Sequence, residues 1–355
     1  MARNRREQSR QANGAGRRGL AWSLLLAMLL VTGGPGCGTE DDNGGGGSDG
    51  AVQDVLDTAA DAPTSDSAPE DVGNDASQAD GSGDAPDGAG FDPLVPPTSG
   101  YAAVFLDVGQ GDATLLIAAS GETALIDGGV STATLTKRLG RLGVTRIDMV
   151  IATHADADHI SGLPQVLADY MVGTILWNGV TKGTQIFDAF LAAAKAEQDA
   201  VVKIARRGDH FTLGNLDLEV LHPGPSADES DDHNNQSVVI QTGCAGAWLL
   251  LPGDAEAPAE EEMEKAGVYS DVDVLHVAHH GSSSGTSAAM LAATKPEVAI
   301  ISAGAENAYG HPDADVLERL DAAGSKVWRT DIGWDDDSVW MQADCKGGLT
   351  LGRVP

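Results

Sequence analysis

The chain has 355 residues and a formal net charge of −31, and 42% of its residues are hydrophobic while only 4% are aromatic. This length allows one large globular domain or two smaller ones. The negative charge argues against an extended nucleic-acid surface, because such a surface needs Lys and Arg side chains that displace counterions from the phosphates.

Residues 1–36 are predicted to be a signal peptide that is not part of the fold. Residues 1–18 contain six Arg and one Glu, and an apolar run from 19 to 32 follows them. This run is short for a membrane span, and basic residues precede it, as in secretory signals. Cys37 comes after small residues, which resembles the lipobox of bacterial lipoproteins. The resemblance implies cleavage before Cys37, a lipid on its sulfur and an extracytoplasmic protein anchored to a bacterial membrane. A plain signal peptide and an uncleaved anchor are the alternatives.

Residues 37–98 are predicted to be a disordered acidic tether. From 38 to 97 the chain is mostly Gly, Asp, Ala, Ser and Pro, with fifteen acidic residues and no Lys or Arg. Such a segment cannot bury enough apolar area to offset the entropy lost on ordering. Residues 99–355 are predicted to form the folded domain. They carry −21, because residues 1–18 contribute +5 and the tether contributes −15.

The folded domain is predicted to consist of two successive sets of strands and helices. In the first half, strands are predicted at 102–108, 113–118, 123–127, 147–153 and 173–177, and helices at 131–143, 162–170 and 185–198. In the second half, hairpins are predicted at 211–221, 237–251 and 338–351, a helix at 257–266, a buried strand at 272–278, and then helix, strand, helix and strand up to residue 329. This order predicts the α/β class and a four-layer αββα sandwich.

The most informative segment is His154-Ala155-Asp156-Ala157-Asp158-His159, directly after the apolar run 147–153. Two imidazoles and two carboxylates on one loop at the end of a strand indicate metal binding, because nitrogen and oxygen ligands suit Zn, Mn or Fe. The alternative is an acidic surface loop with two incidental histidines.

Three further polar motifs follow apolar runs. These are Asp254, the adjacent pair His279-His280, and His311 in a Tyr-Gly-His-Pro loop. The ends of neighbouring strands in a layered fold meet at one rim, where binding sites are commonly built. Each motif alone could be structural, but their combination predicts a common site.

Together these motifs resemble the metallo-β-lactamase superfamily and, within it, the ComEC-type extracytoplasmic hydrolase domain of DNA-uptake proteins and its stand-alone relatives. The resemblance extends from about residue 101 to the C-terminus. The segments that carry it are 106–113, 125–129, 153–162, 235–239, 253–254, 279–282 and 309–312. The sequence does not resemble the membrane channel of ComEC, so a role in DNA translocation is not implied.

The resemblance implies a site for two divalent metal ions, Zn or Mn, that share the carboxylate of Asp254. One ion would be held by His154 and Asp156, at a position named metal site 1 below. The other ion, at metal site 2, would have the ligands Asp158, His159 and His280.

The resemblance also implies residues around the metals. His279 would lie outside the ligand set or face the substrate, and Asp127 would support the metal-binding loop through hydrogen bonds. His311 could donate a hydrogen bond or proton to the phosphate or leaving group, or could merely shape its loop. Other residues expected at the rim are Asp107, Gln110, Asp112 and Tyr309.

The chain departs from the common superfamily pattern at two positions. Asp156 stands where the pattern has a histidine, and this oxygen ligand makes Mn plausible beside Zn. A ligand histidine expected before Asp254 is missing from its motif. Asn235 or Ser237 is expected to line the site instead, with His233 as an alternative ligand. Metal site 1 is therefore expected to hold its ion weakly.

The expected function is metal-dependent hydrolysis, with phosphodiesters as the leading substrate class. A water that bridges the two ions would lose a proton near neutral pH and attack phosphorus. Asp158 and His311 are the candidate catalytic residues. The alternatives are another ester substrate cleaved by a carbonyl hydrolase, such as a lactonase, and a metal-binding module without turnover.

The two remaining cysteines are Cys244 and Cys345, each in a short turn that contains Gly. Export would expose both to oxidising conditions, so they could pair, but their spacing does not decide this. Neither has the spacing of a cysteine zinc site. The oligomeric state is also left open.

Overall fold

The computed structural model describes residues 98–224, 232–333 and 336–354. The predicted signal peptide, the lipidation site Cys37 and all but the last residue of the predicted tether lie outside the described residues, so they stay predictions. Within the described ranges, no helix has both the length and the apolar character needed to cross a bilayer.

The described residues form two β-sheets with helices and short 3₁₀ turns. The strands are β1 (Tyr101–Phe105), β2 (Thr114–Ala118), β3 (Thr123–Ile126), β4 (Met149–Ala152), β5 (Thr174–Trp177), β6 (Val201–Ile204), β7 (His210–Leu213), β8 (Leu216–His222), β9 (Val239–Cys244), β10 (Ala247–Leu251), β11 (Val274–His276), β12 (Val298–Ile301), β13 (Lys326–Arg329), β14 (Val339–Ala343) and β15 (Leu349–Arg353). The helices are α1 (Thr132–Arg141), α2 (Ala157–Ile160), α3 (Leu163–Asp169), α4 (Gln185–Ala196), α5 (Ala257–Ala266), α6 (Ala288–Thr294) and α7 (Ala314–Ala323). The 3₁₀ turns are Asn234–Gln236 and Ala278–Gly281.

Both sheets are mixed. The first has the order β15-β14-β1-β2-β3-β4-β5-β6, and the second has the order β13-β12-β11-β10-β9-β8-β7. In the first sheet, β3 to β6 run parallel. In the second sheet, β10 to β13 run parallel. Each sheet therefore has a parallel half whose strands all end at the same edge.

The central strands are apolar on both faces because both faces are covered. In β1, Tyr101, Ala103 and Phe105 pack between the two sheets, whereas Ala102 and Val104 face helices on the outer side. Side chains alternate along a strand, so a strand buried on both faces needs a continuous apolar run. This explains why the sequence shows no polar alternation there.

Helices cover the outer face of each sheet and complete the predicted αββα sandwich, which the structure confirms. α1 to α4 lie on the first sheet, and α5 to α7 lie on the second. The buried helix residues include Leu135, Leu139, Phe187 and Phe190 on the first sheet, and Met263, Leu291 and Leu320 on the second.

Two elements differ from the sequence-based expectation. The edge strand β6 was not predicted, because all four of its side chains are exposed and no buried face imposes a pattern on its sequence. The helix predicted at 162–170 is α3, and a separate single turn, α2, precedes it and carries the end of the His154–His159 motif.

Cys244 and Cys345 form a disulfide, with their Cα atoms 5.2 Å apart. Cys244 ends β9 in the second sheet, and Cys345 lies in the turn between β14 and β15 in the first. The bond therefore connects the two sheets. The cysteines are 101 residues apart in sequence, which is why their spacing did not show the pairing.

Candidate metal centre

The predicted metal ligands lie where the parallel halves of the two sheets end. His154 follows β4 in the first sheet, whereas Asp254 follows β10 and His280 follows β11 in the second. The crevice beyond the carboxyl ends of parallel strands is a common location for binding sites, because the loops that leave the strands meet there. The two sheets thus bring together motifs that are distant in sequence.

Four of the predicted ligands form a tight cluster, which contains the three residues expected at metal site 2 and Asp254, the carboxylate expected to be shared. One ligand atom from each of Asp158, His159, Asp254 and His280 lies within 4.8 Å of all the others. Nε2 of His159 is 3.1 Å from Oδ2 of Asp254, and Nε2 of His280 is 3.3 Å from Oδ2 of Asp158. Two nitrogens and two carboxylates form a donor set that suits Zn or Mn.

The polar atoms at the centre of this cluster fit a bound cation. Nε2 of His159, Nε2 of His280 and Oδ1 of Asp254 are buried, and none has a partner with hydrogen-bond geometry among the residues that the structure describes. Buried polar atoms without a partner are rare in native proteins. A divalent ion would use the lone pairs of all three atoms.

Bonds from the opposite ring nitrogen direct each Nε2 toward the cluster. Nδ1 of His159 is 2.8 Å from Oδ2 of Asp127, and Nδ1 of His280 is 3.1 Å from the carbonyl oxygen of Ser302. Because both partners are acceptors, each Nδ1 carries a proton, and Nε2 is the ring atom that would bind a metal ion after losing its own proton. Metal-binding histidines are commonly oriented in this way.

Asp127 lies between Thr153, at the start of the His154–His159 segment, and the ring of His159. It follows β3, and its two carboxylate oxygens accept hydrogen bonds from the backbone N–H and the hydroxyl of Thr153, at 2.8 and 2.7 Å. Its backbone has a φ of 60°. Asn adopts this conformation more readily than most other residues, so Asn is the least disruptive replacement.

Replacing Asp127 by Asn is expected to lower metal affinity by about 10- to 100-fold, because the side chain that orients the His159 ring loses its negative charge. Metal titration of the metal-depleted protein measures the effect. Asp148→Asn is the matched control, since the Asp148 carboxylate also accepts a backbone N–H, from Thr123 at 2.9 Å, but belongs to no metal cluster of the described residues. Equal affinity in the two variants would contradict the proposed role.

The residues expected at metal site 1 lie farther apart than those expected at metal site 2, and His154 and Asp156 are not part of a metal cluster in the described residues. Nε2 of His154 is 3.9 Å from Oδ1 of Asp156 and 3.9 Å from Oδ2 of Asp254. Oδ1 of Asp156 also accepts a hydrogen bond from Nζ of Lys182 at 2.5 Å. Lys182 was not a sequence-based candidate, because it belongs to a loop without any recognisable motif.

The electrostatics favour an ionised carboxylate among the imidazoles. Burial opposes the charge on Asp254, but His159 and His280 outweigh it and hold the pKa of this carboxyl well below its usual value. Burial also opposes the charge on His159, but Asp254 and Asp127 raise its pKa well above the usual value. For His154, burial together with the nearby His159 lowers the pKa to about 4. His154 is therefore neutral near pH 7 and keeps a lone pair for a metal.

Ser237, one of the two residues expected to line metal site 1, contacts the His154 ring on its Nδ1 side. Its Oγ is 3.4 Å from Nδ1 of His154 and accepts the backbone N–H of Asp254 at 3.3 Å. The side-chain oxygen of Asn235 instead accepts the N–H of Ala259, at the start of α5, at 3.2 Å. His233 is not part of any metal cluster found in the described ranges, and it stays an untested alternative ligand.

Two predicted rim residues are engaged in contacts with the protein itself. Oδ2 of Asp107 is 2.8 Å from Nη2 of the buried Arg138, whose other terminal nitrogen is 2.6 Å from Oδ2 of Asp336. Oε1 of Gln110 accepts the backbone N–H of Gly304 at 3.2 Å. These contacts hold the loop after β1 against its neighbours.

Asp112 lies behind the histidines of the second sheet. Its Oδ1 is 3.3 Å from Nδ1 of His280 and 3.6 Å from Nε2 of His276. Burial opposes its charge, but His276 and His280 keep the pKa of this carboxyl below the usual value. Asp112 thus supports the ring of His280.

A row of three rings lies beside the cluster. Nε2 of His279 is 3.7 Å from Oδ2 of Asp254, and its Nδ1 is 3.0 Å from Oε1 of Glu256. The ring centroids of His279 and His311 are 5.8 Å apart, and Tyr309 stacks on His311 at 5.9 Å. Glu256 was missed in the sequence analysis, because nothing distinguishes it from the acidic residues of α5 that follow.

Comparison with known proteins agrees with these features. The model of the metallo-β-lactamase superfamily matches residues 106–305. ComE operon protein 3 of Bacillus subtilis (strain 168) is 33% identical over 191 residues, which are 53% of this chain and 24% of that protein. Competence protein ComA of Neisseria gonorrhoeae is 33% identical over 250 residues, which are 68% of this chain and 33% of that protein. The chain thus spans a third or less of the length of these curated relatives.

Among solved structures, the chain is similar to the metallo-β-lactamase fold protein YhfI from Bacillus subtilis. The TM-score is 0.42 and the sequence identity is 13%, and the match covers 66% of this chain and 98% of YhfI.

Proposed function

The chain belongs to the metallo-β-lactamase superfamily, and from this premise we propose that it is a metal-dependent hydrolase that cleaves phosphodiesters outside the cytoplasmic membrane. The observation that carries the proposal is the cluster of Asp158, His159, Asp254 and His280, whose ligand atoms lie within 4.8 Å of one another and include buried atoms without a hydrogen-bond partner. Divalent ions in such a site supply Lewis acidity and make a bound water more acidic.

The side chains divide the work of binding and orientation. His159 and His280 offer Nε2 lone pairs, and their Nδ1 atoms are held by Asp127 and Ser302. Asp254 would serve both metal positions, because its Oδ2 lies 3.1 Å from Nε2 of His159 and 3.9 Å from Nε2 of His154. Each ligand is thus held in position before a substrate arrives, and this reduces the reorganisation needed for catalysis.

Charge favours a small or single-stranded phosphodiester over a long duplex. The −21 of residues 99–355 opposes an extended contact with a polyanion, so binding would depend on the metal centre and its immediate rim. The relative named competence protein ComA, together with the resemblance to DNA-uptake proteins, favours a nucleic-acid substrate. A phosphorylated component of the cell envelope would offer the same reactive group.

The predicted lipid on Cys37 and the acidic tether would place this domain at a membrane surface. Such a tether would keep the domain close to the membrane while leaving the metal centre open to solvent. This location is part of the proposal and is independent of the chemistry at the site.

A substrate panel tests the proposal. The full-length protein, loaded with Mn²⁺ or Zn²⁺, is assayed on bis-p-nitrophenyl phosphate, a single-stranded oligonucleotide, a lactone and nitrocefin. We expect metal-dependent turnover of the first two substrates and loss of turnover after chelation. Turnover of only the lactone or nitrocefin would reject the phosphodiester class. Bound metal without turnover of any ester would indicate a binding module.

A further inference from the structure

Lys182 contacts the carboxylate that metal site 1 needs. Its Nζ lies 2.5 Å from Oδ1 of Asp156, and their side chains are 25% and 31% exposed. This same oxygen is the one that lies 3.9 Å from Nε2 of His154. The oxygen of Asp156 that faces the other site 1 ligand is therefore already bound to an ammonium group.

The loop that carries Lys182 is fixed on both sides. It connects β5 to α4, and Asn178 at its start donates from Nδ2 to the carbonyl oxygen of Gln236 at 3.0 Å. At its end, the N–H of Thr184 donates to the carbonyl oxygen of Lys182 at 2.9 Å, and the Thr184 hydroxyl accepts the N–H of Phe187. The backbone that carries Lys182 is thus held at both ends of its loop.

The loop is also attached to the segment where a ligand is missing. Gln236, which anchors it, lies between Asn235 and Ser237, in the stretch where the superfamily pattern led us to expect a further histidine. The chain therefore lacks a neutral imidazole on one side of metal site 1 and has a positive charge on the other. Both changes weaken the binding of a cation there.

The position of the ammonium group leads to the same conclusion. Nζ of Lys182 lies against the carboxylate oxygen of Asp156 that is nearest to Nε2 of His154. A second divalent ion would have to bind beside this positive charge, and like charges disfavour such binding in a partly buried site.

We propose that Lys182 acts as a resident cation at metal site 1, so that the protein binds one divalent ion tightly at metal site 2 and a second ion at least about tenfold more weakly. The inference builds on the metal sites of the proposed function. Its test measures binding rather than turnover, so the two can fail separately.

In the experiment, the metal-depleted full-length protein is titrated with Mn²⁺. Electron paramagnetic resonance measures the free Mn²⁺ at each step. We expect the unmodified protein to bind one Mn²⁺ tightly and a second one weakly. Lys182→Met removes the charge and keeps most of the length of the side chain. It should lower the Kd of the weakly bound ion about tenfold and leave the Kd of the tightly bound ion unchanged. Lys195→Met, at an exposed lysine of α4, should behave like the unmodified protein. Asp156→Asn should remove the weak ion alone.

The inference would be overturned if the unmodified protein bound two ions with equal affinity. It would also be overturned if Lys182→Met bound the second ion as weakly as the unmodified protein does. Circular dichroism of each variant identifies any misfolded sample. If the titration gives the expected pattern while every phosphodiester in the panel resists cleavage, the inference on Lys182 stands and the proposed function fails.

Discussion

Asp254→Asn is expected to lower phosphodiester turnover by at least about a thousandfold, because it removes the carboxylate that would hold the metal ions. Lewis-acid stabilisation of the transition state by metal ions is worth several kcal/mol, and each 1.36 kcal/mol changes the rate by a factor of about ten. Oδ2 of Asp254 lies within 3.9 Å of Nε2 of four histidines, His154, His159, His279 and His280. No other proposed ligand would serve both metal positions. The loss should appear in kcat at saturating metal.

The Asn variant keeps the shape of the side chain and removes only its charge, so the fold should survive. Asp188→Asn, at an exposed position on α4, is the control for a general effect of losing one carboxylate. Metal content by elemental analysis should fall in Asp254→Asn and stay constant in the control. Turnover within tenfold of the unmodified protein would show that catalysis does not depend on this carboxylate.

The sequence was most informative where burial and chemistry impose a pattern. β4 and the His154–His159 segment were predicted together, because an apolar run that ends in ligand-type residues is typical of a buried strand that leads into a metal-binding loop. The layered architecture was also predicted, since β1 and its neighbours are apolar on both faces. By contrast, β6 was missed because an exposed edge strand needs no apolar pattern.

The surroundings of the site depend on contacts between distant residues, and a single sequence does not show these. Asp107 was expected at the rim, but its partner Arg138, 31 residues further along the chain and on a different element, could not be predicted. Lys182 and Glu256 look like ordinary charged residues until the fold places them against Asp156 and His279. The motif residues were therefore predictable, whereas the charged residues that contact them were not.

His311 is the candidate proton donor, and the structure shows how it is held. Its Nδ1 is 3.2 Å from Oδ1 of Asp313, and Asn307 contacts its backbone on both sides, through the N–H and the carbonyl oxygen. Burial opposes the charge on Asp313, but bonds from Ser283 and His311 keep the pKa of this carboxyl below its usual value. An ionised Asp313 would accept the Nδ1–H of the ring, so a proton carried on Nε2 would be the one available to a leaving group.

His311→Gln is expected to lower kcat on a dinucleotide by about a hundredfold or more, the usual contribution of general acid catalysis. The loss should be much smaller on bis-p-nitrophenyl phosphate, because p-nitrophenolate leaves without needing a proton, whereas the alkoxide of a nucleoside does need one. Tyr309→Phe keeps the stacked ring and should affect both substrates little. Equal losses on the two substrates in His311→Gln would instead mean that His311 only shapes its loop. The difference between the two substrates therefore separates proton donation from a structural role, which a single rate measurement cannot do.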